Sequence, residues 1–106
     1  MDKAVKRMYA RVKPNAPALV LADPGTQGER IYIVRVDNIS AAGVFFRTNV
    51  HLADGTPTKI FFRLKYGTKR RFMRMEFFGK VIRSEPDGFA VAFETVKQIS
   101  TETVGK

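Results

Sequence analysis

No cysteine occurs among the 106 residues. That excludes disulfides, thiolate metal sites and cysteine nucleophiles, and it suits a reducing compartment. His51 is the only imidazole. With the carboxylates scattered, neither a metal-ligand spacing nor a nucleophile-base-acid series can be assembled around it. No enzymatic activity, metal or cofactor is therefore expected. Long apolar runs are missing too: nothing approaches the roughly 18 residues of a membrane span, and no signal-type apolar block follows the charged stretch Met1 to Arg7. The expectation is a cytoplasmic protein without membrane insertion. Acidic residues are scarce as well. Ten Asp and Glu stand against nineteen Lys and Arg, a net charge of +9, which favours anionic partners such as nucleotides, nucleic acid or acidic protein surfaces.

The chain does have a regular punctuation of short apolar stretches. At 44% apolar content the length suits one domain with a modest core. Residues 1–13 are basic and precede Pro14, and they read as a mobile arm. The domain proper spans 14–96. Ala18 to Leu21 is a first strand, bounded by Pro17 and by the turn residues Asp23-Pro24-Gly25. In Arg30 to Val36, Tyr32, Val34 and Val36 share one face while Ile31, Ile33 and Arg35 share the other, the period of a strand. Gly43 to Thr48 is extended again. Beyond Asp54-Gly55-Thr56-Pro57, Ile60, Phe62 and Leu64 alternate with Lys59, Arg63 and Lys65. After a turn at Tyr66 to Lys69, Met73, Met75, Phe77, Gly79 and Val81 alternate with Arg74, Glu76 and Lys80, and Gly79 marks a bend or bulge. Glu85-Pro86-Asp87-Gly88 is a turn in which glycine is expected to accept a positive φ, and Phe89 to Phe93 is the last strand. Six strands without a helical period predict an all-β fold, a small antiparallel barrel or sandwich, of which the six-stranded barrel is the expectation. Residues 97–106 are polar and read as a C-terminal tail or short helix.

Two local patterns carry chemistry. Arg7-Met8-Tyr9-Ala10-Arg11 holds two guanidiniums four residues apart, and Asn38-Ile39-Ser40-Ala41-Ala42-Gly43 holds an amide, a hydroxyl and a glycine. Guanidinium forks pair with phosphate oxygens and stack flat on purines, which an ammonium does not imitate. The amide can read a base edge, the hydroxyl rotates to suit, and the glycine permits a turn that other residues resist. A pattern like the second arises by chance in about one chain of this length in twenty, and Arg70 to Arg74 repeats the first. Only Arg7 and Arg11, however, precede the Asn38 pattern with two strands between.

In that order the two patterns resemble the paired signatures of the PilZ domain family, Arg-x-x-x-Arg followed by Asp/Asn-x-Ser-x-x-Gly. The strands around Val34 to Asp37, Gly79 to Arg83 and Gly88 to Phe93 are similar to the family's strands as well. The resemblance implies a bacterial receptor for the second messenger cyclic di-GMP, bound as a ligand rather than a cofactor, which changes conformation and signals to a protein effector. Carried over position by position, Arg7 and Arg11 hold phosphate and stack guanine. Asn38 and Ser40 bond the base, Gly43 permits the turn, and Asp37 beside the motif counts with the ligand-binding set. Lys6, just before the first arginine, is placed to influence whether one ligand or a stacked pair binds.

The alternative is a small basic barrel that binds single-stranded nucleic acid through aromatics such as Phe45, Phe61 and Phe72; it is the lesser expectation. Its affinity would fall steeply with salt, whereas a compact dinucleotide held by stacking and edge contacts would suffer less. In the blandest reading Asn38 and Ser40 merely satisfy a turn, Lys69 to Arg74 protect a hairpin edge, and the arm is a solvated tail.

Overall fold

The computed structural model describes residues 15–25, 28–66 and 71–103, and within them the side chains other than those of 64–66, 71–73 and 98–103. Six strands are present: β1 (Pro17–Ala22), β2 (Arg30–Ile39), β3 (Gly43–Arg47), β4 (Pro57–Tyr66), β5 (Arg71–Glu85) and β6 (Gly88–Thr103). All neighbours pair antiparallel, and the order β1-β2-β3-β6-β5-β4 closes on itself where β4 meets β1. Closure removes sheet edges that a small β-protein would otherwise have to protect. The expected all-β barrel is what forms, with no helix among the described residues. The basic arm at 1–13 and the turn after Tyr66 lie outside the described residues.

The alternation read from the sequence decides which side chains fill the barrel. Val34 and Val36 on β2 are buried, while Ile31 and Ile33 face outward. On β4, Ile60 and Phe62 point in; on β5, Met75, Phe77 and Val81 do. Five phenylalanines join the strands through the interior. Phe46 lies 5.5 Å from Phe89 and 6.2 Å from Phe62 between ring centroids, Phe62 meets Phe77 edge-on at 5.3 Å, and Phe77 stacks on Phe93 at 4.6 Å. Tilted and offset contacts of this kind add to the area each ring removes from water. Thr58 is the only buried polar side chain among the described residues, and its hydroxyl donates to the Gly79 carbonyl at 3.1 Å. That donor is satisfied, as buried polar groups generally are.

Two expectations are corrected. The polar stretch from residue 97, expected as a tail or short helix, continues β6 to Thr103, paired with β5 as far back as Arg71. Partnered backbone overrides a side-chain pattern with little apolar content, because the ladder hydrogen bonds are made by the main chain. Gly88 does not take a positive φ. It is needed because a Cβ there would collide with the Phe46 carbonyl oxygen across the β3–β6 pair. Gly79 does mark an irregularity, since the β5–β6 register slips between Phe78 and Gly79.

Phe46 is fully buried at the hub of the aromatic chain. Truncation to alanine should lower the unfolding free energy by about 3 to 5 kcal/mol, as measured by urea titration followed by circular dichroism. A loss below about 1 kcal/mol would show that the interior collapses around the gap.

Candidate ligand-binding site

The outer face of β2, β3, β6 and β5 carries a shallow depression of about 250 Å³, built by two one-residue insertions. On β2 the pairing with β3 runs Val36 to Phe46 and then Asn38 to Phe45, leaving Asp37 as the extra residue. On β5 the pairing with β6 runs Val81 to Val91 and then Arg83 to Ala90, leaving Ile82 as the extra residue. Side chains alternate with period two, so an extra residue reverses the phase of the residues beyond it. Without the first bulge Asn38 would join Val36 in the core. With it Ile39 packs against the core instead, and Asn38 is exposed.

The registers then place Asn38, Phe45, Ala90 and Arg83 in one row across four strands. Ala90 is the low point of that row, and Gly43 and Ala92 pair beside it, so small side chains form the floor. At the rim, Arg83 lies over the Phe45 ring with 5.7 Å from guanidinium carbon to centroid, and its Nε donates to Glu85 at 2.6 Å. The depression thus offers an apolar floor, one amide, one hydroxyl and one cation held beside an aromatic face.

The turn that closes β2 onto β3 is tight. The Ser40 amide donates to the Gly43 carbonyl at 2.9 Å, and the Ser40 hydroxyl accepts from the Ala42 amide at 3.2 Å. The turn reading of Ser40 is therefore realised, while the hydroxyl keeps its own proton to donate. Gly43 is needed for a reason other than turn conformation. Its φ is not positive, and a Cβ would collide with the Val91 carbonyl oxygen of β6. Asp37, the bulged residue, accepts a hydrogen bond from Arg47 at 2.6 Å. That hydrogen bond, then the carboxylate's charge, raises the Arg47 pKa above its ordinary value.

Of the residues singled out in the sequence, Asn38, Ser40 and Gly43 line the depression, with Asp37 turned toward Arg47 next to it. Lys6, Arg7 and Arg11 lie outside the described residues. Phe45, Ile82 and Arg83 also line the depression; the sequence singled out Phe45 only as a stacking aromatic of the nucleic-acid alternative, and Ile82 and Arg83 not at all as ligand contacts. The signal was there in principle: both insertions had to be located before the row they create became visible. His51 is exposed and does not line the depression, and among the described residues no group of three His, Cys, Asp or Glu comes together.

The PilZ domain family model matches residues 5–104, and the chain belongs to that family. No curated protein and no solved structure matches it.

Replacement of Gly43 by alanine should cost about 1 to 3 kcal/mol, the range for forcing an atom into a filled space. Asn38→Ala, on an exposed position, should stay within about 0.5 kcal/mol of the parent. Parallel denaturant titrations check both. Equal stability of the two variants would show that β3 and β6 can separate at this point without loss.

Proposed function

We propose that this chain is a receptor for cyclic di-GMP, a bacterial cytosolic switch that reports the messenger to a protein effector. The observation that carries the reading is the row Asn38–Phe45–Ala90–Arg83 inside a PilZ domain. The row has the Asn38 amide and the Arg83 guanidinium on either side of a flat apolar floor, which supports the reading of Asn38 as a base contact. Asn38 hydrogen-bonds a guanine edge, and the Ser40 hydroxyl donates to a ligand oxygen. The small floor at Gly43, Ala90 and Ala92 lets a planar base lie close to the sheet. Arg83 offers its guanidinium to phosphate or to the second purine. Asp37 orders the rim through Arg47 rather than by direct contact.

A depression of about 250 Å³ is smaller than the roughly 300 to 1,000 Å³ that encloses an ordinary ligand. The dinucleotide would therefore lie on a shelf and need a second wall. Arg7 and Arg11 are the candidates, and the tether supports them. The Asn15 amide donates to the Val36 carbonyl at 2.7 Å, and the Val36 amide donates to the Ala16 carbonyl at 2.9 Å. The chain is thereby anchored one residue short of the bulge that presents Asn38. Arg11 precedes Asn15 by four residues, a reach of at most about 14 Å, so its side chain can meet a ligand at Asn38. Lys6 adds charge for the additional phosphates of a stacked pair.

Isothermal titration with cyclic di-GMP tests the reading, with GTP and a short single-stranded oligonucleotide as controls at low and moderate salt. Saturable binding of the cyclic dinucleotide is expected, weakened at least about tenfold in Arg7→Ala, Arg11→Ala, Asn38→Ala and Arg83→Ala, with little change in melting temperature. Strongly salt-sensitive binding of the oligonucleotide alone would assign the barrel to nucleic acid instead.

A further inference from the structure

Among the described residues Arg83 is the one cation that lines the depression, and it is held on two sides. The guanidinium lies over the Phe45 ring, 5.7 Å from its carbon to the ring centroid. Its Nε donates to the Glu85 carboxylate at 2.6 Å. Glu85 itself does not line the depression, so it bears on the site only through Arg83.

The local fold explains why these three groups meet. Beyond the extra residue at Ile82, the β5–β6 pairing runs without a break, Arg83 to Ala90, Ser84 to Phe89 and Glu85 to Gly88. Arg83 and Glu85 are two residues apart on that stretch, so their side chains leave the same face of the strand about 7 Å apart. Gly88, the partner of Glu85, lies against Phe45: a Cβ there would come within 2.9 Å of two atoms of the ring. The ring is therefore packed on the same hairpin that presents Glu85, and the guanidinium lies over the ring.

Restraint of this kind matters for an arginine in particular. Its guanidinium carries five N–H donors in a rigid fork, on a long stem that is free to rotate. A side chain that a ligand must first order loses part of what each new contact contributes. An acceptor on Nε removes one donor and leaves the two terminal amino groups for a ligand, and these can pair with two phosphate oxygens or with the acceptor edge of guanine. The Arg83–Glu85 pair is exposed, 56% and 43% for the two side chains, so it adds little to stability. Its effect falls on geometry.

We infer that Glu85 is a positioning residue for messenger binding, which holds Arg83 over Phe45 with its terminal amino groups free for the ligand. The inference rests on the cyclic di-GMP reading. A carboxylate this close to a ligand with two phosphates also opposes binding through its charge, and the two effects have opposite signs. Substitution separates them. Glu85→Gln and Glu85→Ala remove the same charge, but only glutamine keeps an oxygen that can accept from Nε.

The test is calorimetric titration of cyclic di-GMP into the full chain, into each Glu85 variant, and into each Glu85 substitution combined with Arg83→Ala. Glu85→Gln should retain the parent's affinity or exceed it, and Glu85→Ala should bind at least about threefold more weakly than Glu85→Gln. In the Arg83→Ala background that gap should close, because no guanidinium remains to be positioned. Unchanged thermal melts would confirm that the variants are folded. Binding by Glu85→Ala as tight as by Glu85→Gln overturns the inference, and so does a gap that persists without Arg83; either result leaves the messenger reading standing. No binding by the parent overturns the messenger reading, and the role of Glu85 with it.

Discussion

A closed antiparallel barrel gives each side chain two choices, interior or surface, and one unpaired residue reverses that choice for everything after it. The candidate site depends on two such reversals. The extra residue at Asp37 sends Ile39 inward and turns Asn38 out, and the extra residue at Ile82 does the same service for Arg83. Neither insertion is stabilised by burial of its own side chain. Ile82 is half exposed, and the Asp37–Arg47 pair is open to solvent on both sides. A pair of that kind contributes little to stability, and its use is to fix where the bulged carboxylate points. The insertions persist because the strands on either side are anchored, Val36 and Ile39 on β2 and Val81 on β5 all packing into one core.

Features that depend on period alone could be read from the sequence. The inward set on β2, β4 and β5 came from alternation, as did the number of strands, whereas closure as a barrel rather than a sandwich rests on β4 meeting β1. Three features depended on pairing partners and were hidden. The stretch from Lys97 to Thr103 has no apolar period, and it is a strand because β5 extends far enough to partner it. Gly43 and Gly88 looked like turn glycines, but both are set by a carbonyl oxygen of the neighbouring strand, a constraint no single strand displays. Arg83 lay in a stretch whose similarity to the family was plain, yet its place opposite Ala90, two strands from Asn38, appears only when the registers are combined.

The surplus of positive charge is likewise unevenly organised. Around the depression the cations are individually matched: Arg47 with Asp37, Arg83 with Glu85 and the Phe45 ring, and Lys80 3.9 Å from Glu94. Elsewhere on the barrel Arg63 of β4 stands opposite Arg74 of β5, at a larger groove of about 460 Å³ that Pro17, Leu19 and Ile33 also line. Matched cations keep a defined geometry and suit a ligand recognised by orientation.

The two regions meet at β2 and at the start of β1. Ile33 and Asn38 stand on the same strand, and Arg35 between them donates to the Asn15 carbonyl at 3.0 Å. Asn15 and Ala16 are bonded to Val36, while Pro17 forms the edge of the larger groove. A ligand shifts an equilibrium only through contacts that differ between two states. The contacts that tie the start of β1 to β2 are those at Asn15 and Arg35. Those residues adjoin the groove through Pro17. The path is short, about one strand wide, and it runs through hydrogen bonds at the surface rather than through the close-packed interior. The phenylalanine chain lies inside the barrel and takes no part in these hydrogen bonds.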